Sequence, residues 1–469
     1  MDIRLTKIVC TIGPSCSSTA QIRSLINGGM NVARFNLSHG THANHAQLIR
    51  KVRKISSRSP TPCGVLLDTK GPEIRTGKRR TPLVVKKGDR VIFYPPSHTA
   101  PPKGKSVEVS YDAFHEDAGE TDIILLDNGE LSFDILSIDP QKGIVTARAR
   151  ENGSIGDCRH INLPGADIEN QTMGERDFAD IDFAMKEKVD FLALSFVHSA
   201  EDITRVRHYL RKHKSSIGLI AKIETRQALS HLAEIIAAAD AVMIARGDLG
   251  AEIPFEHLPA IQDEIVKHCN NAGKPVIVAT HMLESMKEHP IPTRAEMMDV
   301  THAATTFSDA TMLSGETASG AHPTKALGAM NRLLLTAEKH LRSSRRPPLL
   351  DIREDYDIRA KSAVELAHDI HAQVIIVFTR SGATASQLSR FRPSVPIIAC
   401  TNDAAVQHKL TLLYGVVPLR IVFSDAETTI HRGMIAAEKG GFVGKGQSVI
   451  LVSDIPKDIT DWSIQQRHL

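Results

Sequence analysis

Hydrophobic and polar positions alternate most sharply in Val32-Ala-Arg-Phe-Asn-Leu-Ser-His39. In an extended chain Arg34, Asn36 and Ser38 share one face and Ala33, Phe35 and Leu37 the other. This is one of eight short, β-branched-rich runs, the others being Thr6 to Gly13, Gly64 to Thr69, Phe191 to Val197, Gly218 to Glu224, Ala241 to Leu249, Pro275 to Thr280 and Ala310 to Thr317. Amphipathic stretches such as Ile203 to Lys212 and Ala260 to Asn271 separate most of them, and a helical stretch follows the first run from Thr19. Strand and helix in alternation predict a parallel sheet, and eight units favour an α/β fold of the (β/α)8 TIM barrel type.

The alternation is interrupted once, between the third run and the fourth. From 71 to 167 the chain carries short alternating runs (Leu83 to Val85, Arg90 to Phe93, Ser106 to Val109, Ile123 to Leu126, Ile144 to Ala149) between Gly, Pro and Asp turns. That texture predicts an inserted all-β lid domain within a barrel built from 1–70 and 168–341. A basic, proline-stopped linker, Arg342 to Pro348, leads to a C-terminal α/β domain over 349–469. Its expected strands are Val374 to Thr379, Pro396 to Thr401, Val416 to Val422 and Ser448 to Ser453, with a helix over Ile358 to Ile370.

Composition narrows the function by exclusion. Lys plus Arg number 57 and Asp plus Glu 54 among 469 residues, a net charge of +3. So even a balance argues against nucleic acid as a partner. No apolar run reaches membrane-spanning length and no apolar leader opens the chain, so no membrane is expected and the expected location is cytoplasmic. Six scattered cysteines signal neither a disulfide framework nor zinc. His39, His42 and His45 stand three apart; helical steps of three drift around the axis, so the trio reads as a solvated helix face rather than a zinc site.

Chemistry gathers at the carboxyl ends of the runs. Gly218-Leu-Ile-Ala-Lys-Ile-Glu224 ends on a lysine and a carboxylate two residues apart, hence on one face. Alone, the pair reads equally as a surface ion pair; at the mouth of a parallel barrel it would be a site. Asp68 and Thr69 end the third run, Arg246-Gly-Asp-Leu-Gly250 offers Asp248 and two glycines, and Thr280 and Ser314 to Thr317 end the last two.

With these residues in view, Cys10-Thr-Ile-Gly-Pro14, Asn31 to Gly40, Leu67-Asp-Thr-Lys-Gly-Pro-Glu-Ile-Arg75, Lys222-Ile-Glu224, Arg246 to Gly250 and Met312-Leu-Ser-Gly-Glu-Thr-Ala318 resemble the pyruvate kinase family, and the match spans all three domains. The resemblance implies transfer of a phosphoryl group from phosphoenolpyruvate to ADP, with Mg2+ (or Mn2+) and K+ as cofactors. It implies catalytic roles for Lys222, Thr280 and Arg34, with Gly247 and Asp248 beside them in substrate binding. Glu224 and Asp248 would hold the divalent ion, and Asn36, Ser38, Asp68 and Thr69 would cage K+. Asn36, His39 and Arg75 would face the nucleotide. In K+-independent relatives a lysine tends to occupy the position of Glu73. The assembly expected is a homotetramer.

The chain departs from the family pattern at His281, where glutamine is usual, and at Thr225, where asparagine is usual. It departs again at His302-Ala-Ala, at Thr306-Phe-Ser-Asp309 and at Asp127-Asn-Gly129. In the third domain Phe378-Thr-Arg-Ser-Gly-Ala-Thr384 places hydroxyls and amides at a strand-to-helix turn, a geometry that cradles phosphate. The resemblance makes Thr379, Ser381, Gly382 and Thr384 the site of a phosphorylated effector. The C-terminal run from Asp454 lacks the glycine- and threonine-rich ending common in relatives.

Overall fold

The computed structural model describes residues 3–468 except 60, 72, 99, 167–174, 345–349, 353 and 454–462. The expected lid boundary at 167/168, much of the Arg342 to Pro348 linker and most of the run from Asp454 lie outside the described residues. All eight expected barrel strands form: Lys7–Thr11, Val32–Asn36, Gly64–Asp68, Phe191–Leu194, Gly218–Ile223, Ala241–Ala245, Val276–Ala279 and Ala310–Leu313. They close into a parallel barrel in which each strand pairs with its neighbours in sequence and the last returns to the first. Each run was expected longer than its strand. Beyond the barrel rim the chain has no partner to pair with, and Arg246–Glu252 and Gly315–Ala318 turn helical instead.

Alternation along these strands sorts the residues into two cores. Ala33, Phe35, Val65, Leu67, Leu219, Ala221 and Ile223 face out into the layer packed under the helices. Val32, Leu66, Ala193, Ile220, Met243, Ile277 and Met312 face in and fill the barrel, joined by Leu412 of the third domain. Two residues further on, four of these inward columns pass from apolar to polar: Val32 gives way to Arg34, Leu66 to Asp68, Ala193 to Ser195 and Ile220 to Lys222. The register is staggered, with Asp68 opposite Asn36 and Ala193, Arg34 opposite Leu66 and Ala193 opposite Ile220, so the polar groups meet through their side chains rather than in one level ring. The barrel is thus an apolar plug with a polar cap.

Between the third and fourth strands lies the lid. Among the described residues its main sheet has six strands, of which Leu131–Asp139 and Ile161–Asn162 lie outside the expected runs. Leu131 to Ile135 alternates apolar and polar, and a bulge between Ile135 and Ser137 breaks the two-residue period only after it. The C-terminal sheet contains the four expected strands in parallel plus an antiparallel edge strand, Ser463–His468. Its polar run, Ser-Ile-Gln-Gln-Arg-His, carries little strand signal.

The barrel floor and the third domain share buried polar contacts. Asp309 accepts Arg392 Nη1 at 2.8 Å and Nη2 at 2.7 Å, together with the amides of Val276 and Tyr414. Of the three histidines His39 and His42 are exposed, as expected, with one ring face of His42 stacked on Phe183 beside Asp180, whereas His45 is buried with Nε2 2.7 Å from the His39 carbonyl oxygen. The helix starts only at His42, capped by Thr41, so His39 lies outside it.

Candidate active site

Lys222 is the centre of the polar cap. Its Nζ lies 2.7 Å from Glu224 Oε1 and 3.2 Å from Asp68 Oδ1, and it donates to Ser195 Oγ at 2.7 Å. Burial alone would lower the pKa of this amine, but Asp68, Glu224 and Asp248 outweigh it and hold the group protonated. Asp68 is itself clamped by Arg34, whose Nη2 and Nε both lie 2.7 Å from Oδ2; Arg34 Nη1 also donates to Thr11 Oγ1 at 2.9 Å. Although burial opposes it, these two cations hold the Asp68 carboxyl below its ordinary range.

The other two carboxyls move the opposite way. Burial pushes Glu224 up to about 7, against the pull of Lys222. Burial likewise raises Asp248, on the first turn of the Arg246–Glu252 helix. Glu224 Oε2 accepts the Phe196 amide at 2.7 Å, while the buried Oε1 has the Lys222 ion pair but no hydrogen bond. Two desolvated carboxylates suit a cation; two are also too few to enclose one, which fits Mg2+ completed by substrate oxygens and water.

Thr280 ends its strand in a left-handed conformation, φ +65°, and His281 follows at +55°. For a β-branched residue that conformation is costly and needs support. Arg246 supplies it, donating from Nη2 to the Thr280 carbonyl at 2.6 Å and from Nε to that of Ala279 at 3.2 Å, with its charge balanced by Asp299. Thr280 Oγ1 in turn accepts the Gly247 amide at 2.7 Å. The hydroxyl of one strand end is therefore fixed to the helix that carries Asp248.

Oxygens expected to cage K+ are adjacent but partly committed. Asn36 Oδ1 accepts the Ser38 amide at 3.0 Å, and the Thr69 carbonyl accepts Ser195 Oγ at 2.8 Å. Each keeps a second lone pair, so the set still fits a monovalent ion. Of the residues expected at the nucleotide, Arg75 pairs with Glu73 at 2.5 Å and donates to the Cys158 carbonyl, while His39 is exposed. In the third domain Thr379 Oγ1 accepts the Gly382 amide at 3.0 Å and Ser381 Oγ the Ala383 amide at 3.3 Å, closing the turn before the Ala383–Arg390 helix. Thr384 is buried.

Sequence reasoning passed over Ser195 and the supporting role of Arg246. Ser195 could have been found by carrying the inward parity of Ala193 two residues further. Among the described residues no helix is long and apolar enough to cross a membrane, and no group of three or more His, Cys, Asp or Glu is placed to hold a metal.

Known proteins agree with this architecture along nearly the whole chain. The family described as pyruvate kinase, barrel domain, matches residues 3–327, and the pyruvate kinase alpha/beta domain matches 358–461. The chain is 39% identical to plastidial pyruvate kinase 2 of Arabidopsis thaliana, over 99% of its own length and 80% of that protein's. It is 38% identical to the pyruvate kinase of Sporosarcina psychrophila, over 97% and 78%. The crystal structure of a pyruvate kinase from Cryptosporidium parvum superposes with a TM-score of 0.89 at 35% identity, covering 99% of this chain and 96% of that one. With its closed barrel, inserted lid and C-terminal α/β domain, the chain belongs to the pyruvate kinase family, phosphotransferases that form pyruvate and ATP from phosphoenolpyruvate and ADP.

Proposed function

We propose that this chain catalyses that transfer with Lys222, Arg34 and Thr280, the observation that carries the reading being a buried, protonated Lys222 ringed by Asp68, Glu224 and Ser195. Phosphoenolpyruvate would lie over the barrel mouth, its phosphoryl group against Arg34 and Lys222 and its carboxylate against the backbone at Gly247 and Asp248. Lys222 offsets charge as it develops on the transferring phosphoryl and on the enolate oxygen. Thr280 holds the enolate carbon near a hydroxyl through which a proton can pass.

Glu224 and Asp248 would hold Mg2+ or Mn2+, which when bound polarises the phosphoryl oxygens. Asn36, Ser38, Asp68 and Thr69 would hold K+. ADP would approach past Asn36, His39 and Arg75 beneath the lid, whose closure keeps water from the phosphoryl group. The barrel is taken as 1–70 and 168–341, the lid as 71–167 and the third domain as 349–469. Thr379, Ser381, Gly382 and Thr384 would receive a phosphorylated effector, in a cytoplasmic homotetramer.

A coupled assay for ATP formation from phosphoenolpyruvate and ADP tests the whole reading. A family member that binds phosphorylated metabolites without turnover would show binding and no ATP. Retention of Lys222, Glu224, Asp248 and Thr280 favours turnover.

A further inference from the structure

The chain that returns from the lid to the barrel runs beside the helix that bears Asp248. His160 Nδ1 stands 3.7 Å from Asp248 Oδ1, and two residues later Asn162 Nδ2 donates to Glu252 Oε1 at 3.3 Å. The spacings match for a physical reason. Two residues of extended chain advance about 6.6 Å and four residues of helix about 6 Å, so one face of the strand meets one face of the helix at both steps.

This returning chain is also one half of the lid's stem. Ile161 donates its amide to the Ile74 carbonyl at 2.9 Å, and Arg75 bridges His160, so the outgoing and incoming chains form a single two-stranded hinge. Asn162 is only 5% exposed, and among the described residues its Oδ1 has no hydrogen-bond partner. An amide buried at that cost is a poor choice for stability alone. Among the described residues its side chain makes one hydrogen bond, to the last residue of a seven-residue helix whose second and third residues are Gly247 and Asp248.

We propose that the Asn162–Glu252 hydrogen bond is a latch that registers the lid against the helix carrying Asp248, making both residues positioning residues for phosphoryl transfer although neither touches a reacting atom. The proposal rests on the reading of Asp248 as a metal-binding residue. When the latch is made, the lid stem and the metal-binding turn move as one body; when it is broken, the lid can close without drawing Asp248 into place.

Steady-state kinetics of four variants test it, with thermal melts to confirm folding. Glu252→Ala should lower kcat/KM and raise the apparent Mg2+ constant by roughly three- to tenfold, the span of one hydrogen bond, with the melting midpoint unchanged. Glu252→Gln keeps an acceptor for Asn162 and should stay within about twofold of wild type. Asn162→Asp sets two carboxyls face to face and should be impaired, and Asn162→Asp combined with Glu252→Gln should recover by restoring a donor and acceptor. The latch is overturned if Glu252→Ala behaves as wild type, or if Glu252→Gln is as impaired as Glu252→Ala. Should Glu252→Ala melt early, the Asn162→Asp/Glu252→Gln pair decides, and no recovery there also overturns it. Failure of the underlying reading looks different: Asp248→Asn would leave the Mg2+ requirement unchanged.

Discussion

Lys222 and Glu224 leave their strand on the same side and meet at 2.7 Å, a cation and a carboxylate buried together at the top of an otherwise apolar column. Glu224 shares Lys222 with Asp68, so the lysine's charge is fixed in place before any substrate arrives. Such preorganised charge acts chiefly on the transition state. Lys222→Met should therefore lower kcat by about a hundredfold or more while leaving Mn2+ binding, read by water-proton relaxation, largely intact. Turnover near wild type would remove Lys222 from the mechanism.

Metal binding should carry the pH dependence. Burial holds Glu224 up at about 7, so below that pH the free site takes a proton where the metal would bind. Because the pKa is raised, the carboxylate form is lost as pH falls, and the apparent Mg2+ constant should climb by about tenfold per unit below 7 and level off above it. Glu224→Gln and Asp248→Asn should each raise the Mg2+ requirement steeply, and Glu224→Gln should flatten the pH slope. An Mg2+ constant independent of pH from 6 to about 8 in wild type would contradict the assignment.

How much of this was legible depended on whether the relevant period survived in the chain. The barrel strands were visible because Val32 to Asn36 and its counterparts keep the two-residue alternation or an unbroken apolar run. Lys222 and Glu224 were visible because i and i+2 share a face. The first half of the Leu131–Asp139 strand alternates and was legible, its period breaking only at the bulge after Ile135, whereas Arg246 was hidden because its work is to hold the Thr280 and Ala279 carbonyls, contacts between residues 33 or 34 positions apart. The His42 stack on Phe183 and its contact with Asp180 were hidden for the same reason: nothing in the spacing of three histidines encodes a neighbour far along the chain.

Asp309 closes one of the departures from the family pattern, and its carboxylate is the seam between barrel and third domain. It is buried with Arg392 in a two-pronged pair that also receives two backbone amides. Asp309→Ala would strand a buried guanidinium, and should cost about 3–5 kcal/mol in urea unfolding. Replacing both partners, Asp309→Leu with Arg392→Met, should recover much of that loss, because no uncompensated charge remains. Equal loss in single and double variants would mean that the amide contacts, not the ion pair, hold the seam.

Activity should also require K+, and the reason lies in how the charges near the barrel mouth are already spent. Asn36, Ser38, Asp68 and Thr69 bring oxygen donors together through the register of the second and third strands, with one carboxylate among them. That is too little negative charge for a small divalent ion and enough for a monovalent one. Two protein cations already lean on Asp68; with Arg34 and Lys222 in the roles proposed for them at the phosphoryl group, a further fixed positive charge would add to theirs. Glu73 cannot provide it. Its carboxylate is only 14% exposed and is tied to Arg75 at 2.5 Å, so it is not a solvated loop residue, and the pair contributes no net charge. Glu73 is nonetheless near enough for its charge to act on Asp248 and His160. A lysine substituted there would bring an ammonium into range of the same site. Rates in K+ against a bulky organic cation at matched ionic strength should differ by about tenfold or more, and equal rates would refute the cage. Glu73→Lys should then recover part of the activity without K+, whereas Glu73→Gln, which frees Arg75 without adding an ammonium, should not; recovery in both would assign the effect to Arg75 instead.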